Sequence, residues 1–222
     1  WGRGCGVETA VGLATAICGR SAGLSVQVLD GGAIDGDKAC GEGLMPGTAP
    51  LLAELGIDPP GHALEGVVYH QGSTRVEHSF PEKPGRGVRR TELRDALVQR
   101  AHDGGVFIER AKYVSLTQDA HSATVTTDSG QHITSRYVVG CDGLHSSVAA
   151  DLGVVKKPRR GAKRYGLRQH FAIAPWSSNI EVFYSANAEV YITPVSSDTV
   201  GVAVLGPKGV NLDSAIASIP AL

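Results

Sequence analysis

The order of apolar and polar positions changes character along the chain. Residues 10–22 (AVGLATAICGRSA) are a run of small and apolar residues that predicts a helix, with Gly23 as its stop. Residues 25–30 (SVQVLD) form a short β-branched run ending in an acid, which predicts a buried parallel strand. Residues 31–46 are Gly-rich and irregular. A short helix is expected over 48–56, with Thr48 as N-cap and Gly56 at its end. Residues 66–80 read as extended chain. Over 91–103, Leu93, Ala96, Leu97 and Ala101 recur at helical spacing, between an N-cap at Thr91 and the stop Gly104-Gly105. A strand over 106–109 follows. A hairpin-like stretch then runs through Val114, Val125 and Ile133, with turns at Asp119 and at Asp128-Ser129-Gly130. Residues 137–143 (YVVGCDG) predict an apolar strand entering a turn, and 146–152 a helix.

From Lys163 to Leu205 strand-like runs (RYGLRQHFAI, NIEVFYS, AEVYITPV, TVGVAVL) follow one another with no helix between them. This predicts an antiparallel sheet, unlike the first half. Residues 211–222 begin a helix that stops at Leu222. No internal repeat or low-complexity segment appears.

With 222 residues the chain exceeds one small domain. Apolar residues make up 42% and charged residues 19%, a normal globular composition, and 29 glycines suit a fold with many tight turns. The net charge of −1 excludes a nucleic-acid footprint, since Lys156-Lys157-Pro158-Arg159-Arg160 reads as a solvated loop. Cys5, Cys18, Cys40 and Cys141 show no C-x-x-C spacing, so neither a metal site nor a disulfide framework is expected, and a cytoplasmic location fits. No apolar run is long enough for a membrane span. The start, Trp1 to Gly6, has neither an initiator Met nor a signal-peptide core, which predicts a fragment.

Four segments carry candidate chemistry. A helix followed by a strand ending in an acid is what a dinucleotide-binding unit needs: glycines let backbone amides approach a diphosphate, and the acid accepts from ribose hydroxyls. Asp30 stands 18 residues after Gly12, near the expected spacing, and reads equally as a turn Asp. With Gly12 as the third glycine of G-x-G-x-x-G, Val7 and Thr9 occupy the first two places, and a side chain there crowds a phosphate. The second segment is Asp37-Lys38-Ala39-Cys40-Gly41-Glu42-Gly43-Leu44-Met45-Pro46, a loop whose glycines admit a planar ligand close to the backbone. The third is Arg90 at a helix start, with Arg89 beside it, a cation suited to phosphate. The fourth is Gly140-Cys141-Asp142-Gly143-Leu144-His145-Ser146-Ser147-Val148.

Together these segments resemble the flavoprotein oxidoreductases that include geranylgeranyl-reductase-like and aromatic-hydroxylase-like proteins. The fourth resembles their D-G-x-x-S-x-x-R fingerprint, with Ala149 in place of the final Arg. The resemblance implies that the Cys40, Gly41, Glu42 and Gly43 loop approaches a flavin. It also implies that Arg90 contacts the diphosphate or adenosine side of FAD, that Asp142 and Gly143 lie near the diphosphate, and that Ser146 caps the following helix. It implies FAD as cofactor and NAD(P)H as reductant.

The expected fold is α/β: a Rossmann-like FAD-binding domain (1–62 and 88–160) with an inserted antiparallel β-sheet substrate domain (63–87 and 161–222), truncated at the C-terminus before the family's second FAD contact. The expected activity is an NAD(P)H-using monooxygenase acting on a small apolar or aromatic molecule. The alternatives are a prenyl double-bond reductase and a non-catalytic fragment unable to hold FAD. Gly12, Asp30, Cys40, Gly41, Glu42, Gly43, Arg90, Asp142 and Gly143 are the candidate cofactor contacts. No residue stands out as acid, base or metal ligand. Phe171, Trp176, Phe183, Tyr184 and Tyr191 are expected in the core rather than in a pocket.

Overall fold

The computed structural model describes residues 9–32, 37–155 and 163–220. The start through Glu8, with Cys5 and Val7, the basic run Lys156 to Arg160, and Leu222 lie outside the described residues. The elements, in chain order, are α1 (Thr9–Ser21), β1 (Gln27–Leu29), β2 (Gly43–Leu44), α2 (Thr48–Glu54), β3 (His62–Leu64), β4 (Gly66–Gln71) and β5 (Thr74–Ser79). There follow β6 (Gly85–Gly87), α3 (Arg90–Asp103), β7 (Phe107–Glu109), β8 (Tyr113–Gln118), β9 (Ala123–Thr127), β10 (His132–Ser135) and α4 (Ser147–Asp151). The last are β11 (Tyr165–Phe171), β12 (Asn179–Tyr184), β13 (Glu189–Pro194), β14 (Val200–Gly206) and α5 (Leu212–Ala217). The mixed α/β class read from the sequence is the class observed. Contacts divide the chain into two compact units, Trp1–Gly36 with Arg94–Arg159 and Asp37–Leu93 with Arg160–Leu222.

In the first unit, α1 turns its Leu13, Ala16 and Ile17 inward. Its last turn closes with Leu24 N–H on the Gly19 carbonyl and Gly23 N–H on Arg20, a glycine-terminated cap. The Arg20 guanidinium binds the carbonyls of Gly104 (2.9 Å) and Leu24 (2.8 Å), tying the end of α1 to the end of α3. β1 and β7 pair in parallel, Gln27 with Phe107 through Leu29 with Glu109. The strand expected over 25–30 is therefore parallel, as read. It is half-buried rather than buried, because this sheet has only two described strands. β8, β9 and β10 form an antiparallel three-stranded sheet. Its turns stand where expected: the Asp119 carboxylate accepts from the amides of His121 and Ser122, and Gly130 returns its N–H to Thr127.

One expected strand is absent. Residues 137–141 are irregular, and Tyr137 and Val139 are 79% and 64% exposed. An apolar run becomes a strand only where a neighbour supplies hydrogen bonds, and no described strand pairs with it.

The second unit is built on a six-stranded sheet of order β11-β14-β13-β12-β4-β5. It is antiparallel, as expected, except that β4 and β12 run parallel. Period-two alternation gives it two unlike faces. One carries Phe183, Val190, Ile192, Val200, Val202 and Val204, and is sealed by Leu212, Ala215 and Ile219 from α5 and the chain after it. The register places Tyr69, Tyr184, Tyr191, Thr193, Gly201, Arg168 and His170 on the other. Only part of the expected aromatic core holds. Phe183 is buried, whereas Trp176 is 54% exposed and Tyr184 40% exposed. A small sheet, β2-β6-β3, completes the unit.

Two helix starts differ from expectation. Gly47, not Thr48, occupies the N-cap of α2 and makes no side-chain cap. α3 begins at Arg90, not after Thr91, because its first N–H finds an acceptor far off in sequence.

Candidate functional site

In the second unit, the segment Cys40 to Gly43 lies on the sheet face that bears Tyr69, Tyr184 and Tyr191. The Thr193 hydroxyl donates to the Gly41 carbonyl at 2.7 Å. Gly43 packs on Ile180, so that a Cβ there stands 2.7 Å from Ile180 Cδ1. Gly41 is different: a Cβ at that position meets nothing within 4 Å among the described residues. This backbone is open to an incoming group. Cys40 is an exposed free thiol whose sulfur accepts from the Glu42 amide at 3.4 Å.

Glu42 between the two glycines holds the turn. Its φ is 57°, the left-handed region that a residue with a Cβ enters at a cost of about 1–3 kcal/mol. Its carboxylate is fully buried. Oε1 accepts the Arg90 backbone N–H at 2.9 Å and a guanidinium N–H from Arg168. Oε2 pairs with His170 Nε2 at 2.7 Å. The Glu42 main chain is fixed as well, its carbonyl accepting from Val88 N–H at 2.8 Å. Arg168 uses its other terminal nitrogen on Asp37. Its Nε is buried and finds no partner among the described residues. A buried carboxylate is tolerable only when paired and hydrogen-bonded, and this one is.

Sequence reading reached Glu42 and Arg90, and the structure brings these two together. It quoted Asp37 as the first residue of that loop without giving it a role, and missed Arg168 and His170. The available signal was strand alternation in 165–171, which puts Gly166, Arg168 and His170 on one face and the apolar Leu167 and Phe171 on the other.

Further along this face, the Tyr191 hydroxyl donates to Glu189 Oε2 at 2.5 Å, and Glu189 also pairs with Arg164 at 2.8 Å. Burial, then the hydrogen bond to Glu189, push the Tyr191 phenol up to about 12, so it stays a neutral donor at ordinary pH. Burial raises the Glu189 carboxyl, but Tyr191 and Arg164 outweigh it and hold it below the usual range. Tyr69 and Tyr184 lie in stacked orientation with ring centroids 6.4 Å apart.

The first unit holds the other expected contacts. Gly12 lies in the first turns of α1 and is half-buried. Asp30 stands at the C-terminal end of β1. Its Oδ1 accepts from Gly32 N–H at 2.9 Å, and its Oδ2 takes no hydrogen bond from the described residues. A carboxylate at the end of a parallel strand with one oxygen open is what a ribose hydroxyl requires. Asp142 is committed differently. Its oxygens accept from the Ser146 hydroxyl, Ser147 N–H (2.6 Å) and Val148 N–H (3.2 Å), while Ser146 caps Ala149 N–H at 2.9 Å. Ser146 is thus the cap of α4 that was expected, and Asp142 reinforces it. Burial raises the Asp142 carboxyl, but these donors prevail and keep it below the usual carboxylate range. Gly143 has φ 80° and its carbonyl closes the turn with Ser146 N–H, a conformation that favours glycine. Among the described residues no helix is long and apolar enough to cross a membrane.

Taken each within its own unit, the Gly41 backbone and the Asp30 oxygen that takes no hydrogen bond from the described residues are compatible with a cofactor that carries a planar ring and a ribose. The comparisons agree. The chain is 30% identical over 155 residues to menaquinone reductase of Mycobacterium tuberculosis (strain ATCC 25618 / H37Rv), covering 64% of the chain and 37% of that protein. It is 27% identical over 221 residues to a Bacillus subtilis (strain 168) protein named as an FAD-dependent monooxygenase, YetM, covering 88% of the chain and 57% of that protein. It therefore spans about half the length, or less, of these curated relatives. Among solved structures, p-nitrophenol 4-monooxygenase PnpA from Pseudomonas putida DLL-E4 superposes with a TM-score of 0.78 at 16% identity, over 95% of the chain and 59% of its own length. PqsL of P. aeruginosa in complex with 2-aminobenzoylacetate superposes at 0.72 with 20% identity, over 96% and 61%. At these identities the superpositions establish the fold. The sequence profile of the FAD binding domain family matches residues 9–210, and the chain belongs to that family.

Proposed function

We propose that the chain is the cofactor- and substrate-binding part of an FAD-dependent monooxygenase that takes reducing equivalents from NAD(P)H and acts on a small apolar or aromatic molecule. The observation that carries this reading is the seat of the Gly41–Gly43 turn on a half-open sheet face bearing Tyr69, Tyr184 and Tyr191. Such a face offers flat apolar area with phenol groups at its rim, which suits an aromatic guest. Within the first unit, Asp30 is read as a ribose contact and Gly12 as part of the helix start; within the second, Gly41 and Gly43 are read as close backbone and Arg90 as a cation. Bound FAD supplies the redox chemistry; the chain's own residues bind, orient and exclude water. Residues 63–87 and 161–222 are read as the substrate-bearing part, and 1–62 with 88–160 as the Rossmann-like FAD-binding part.

The test is substrate-stimulated oxygen uptake by the FAD-loaded protein with NAD(P)H and a panel of phenolic and heteroaromatic acids. Oxygen incorporation from labelled O₂ into product is expected. The identity to menaquinone reductase favours a second reading, a reductase rather than an oxygenase, of which the prenyl double-bond reduction considered from the sequence is one form. NAD(P)H loss without oxygen uptake, giving a product two hydrogens heavier, selects that reading over the first.

A further inference from the structure

We infer that Arg168 and His170 are positioning residues that set the backbone of the Cys40–Gly43 loop through Glu42. The inference rests on the proposed reading of that loop as a flavin contact.

Glu42 combines two features that are unfavourable alone, a left-handed φ of 57° and a buried carboxylate. Each is stable only if its surroundings over-determine it. The surroundings come from β11, more than a hundred residues away in sequence. Arg168 reaches Oε1, His170 reaches Oε2, and Arg168 also holds Asp37 at the start of the segment. Behind the carboxylate stands Gly201, where an added Cβ would fall 2.7 Å from Oε2, so only a glycine there leaves the carboxylate its place. In front, Oε1 accepts the first N–H of α3. One carboxylate thus joins the loop, the substrate-face strand and the helix that opens at Arg90.

The test combines deuterium uptake of the peptide over 38–44 with FAD titration, for the chain and for R168Q, H170Q, E42Q and E42Q/R168Q. We expect R168Q to speed exchange at 41–43 by about tenfold or more while β14 stays protected, and to weaken FAD binding by a similar factor. The double variant is expected within about threefold of the worse single one, because both substitutions break one linkage. H170Q, with a shorter reach, is expected to act in the same direction and less. If Gln at 168 opens β14 as well, H170Q decides by the same two peptides. Native exchange at 41–43 in the folded variants, or additive effects in the double one, overturns the inference whatever FAD does. Failure of the unsubstituted chain to take up FAD, with the loop loosened in R168Q, instead overturns the flavin reading and leaves the positioning role standing.

Discussion

Glu42 shows how much one residue can be asked to do. A glycine at that position adopts φ 57° freely, yet the chain carries a carboxylate there and surrounds it with Arg168, His170 and the Arg90 amide. The local sequence, Gly-Glu-Gly, announces a tight turn but not its partners, which arrive from a strand with no sequence proximity. Charges that compensate one another across more than a hundred residues leave no periodic trace. Gly201 makes the packing testable. Gly201→Ala places a Cβ 2.7 Å from a carboxylate oxygen that is pinned on its other sides. Such overpacking costs about 1–3 kcal/mol, read as a lowered midpoint in urea unfolding; an unchanged midpoint contradicts the packing described.

At the scale of elements, legibility followed the source of each element's hydrogen bonds. Helices α1 and α3, with their glycine stops, and the Asp119 and Gly130 turns satisfy their backbone groups locally, so their sequences suffice. The start of α3 was missed by two residues because its first N–H is satisfied by Glu42. Residues 137–141 look like a strand in sequence and are not one, because strand formation depends on a partner. The turn before α4 was read as a cofactor motif, and its local work is a cap. Asp142→Asn weakens that cap by about 1 kcal/mol, seen as faster amide exchange at Ser147 and Val148. The sign with pH follows from the lowered carboxyl. A group depressed on folding stabilises above its ordinary value near about 4, and that contribution disappears as pH falls through the folded value. The difference between the two proteins is therefore expected in full at neutral pH and to vanish in strong acid. A difference independent of pH contradicts the role given to the charge.

For the whole molecule, the alternation of a parallel βα part with a long antiparallel sheet announced the α/β class, while the spaced motif segments carried the flavoprotein resemblance. The family match over residues 9–210 bears out the cofactor class. The two faces of the six-stranded sheet were less legible. Alternation separates them, but only the register decides that Tyr69, Tyr184 and Tyr191 share a side with Arg168 and the Gly41–Gly43 turn. The reaction and its substrate are further removed still, since relatives of one fold support both oxygenation and reduction. What precedes every one of these questions is the cofactor. The measurement that bears on it most directly is a difference-absorbance titration of the purified chain with FAD. A saturable, one-to-one perturbation of the flavin bands, lost when Asp30 is changed to Ala, is the predicted result. Flavin bands that stay those of free FAD through the whole titration contradict the account.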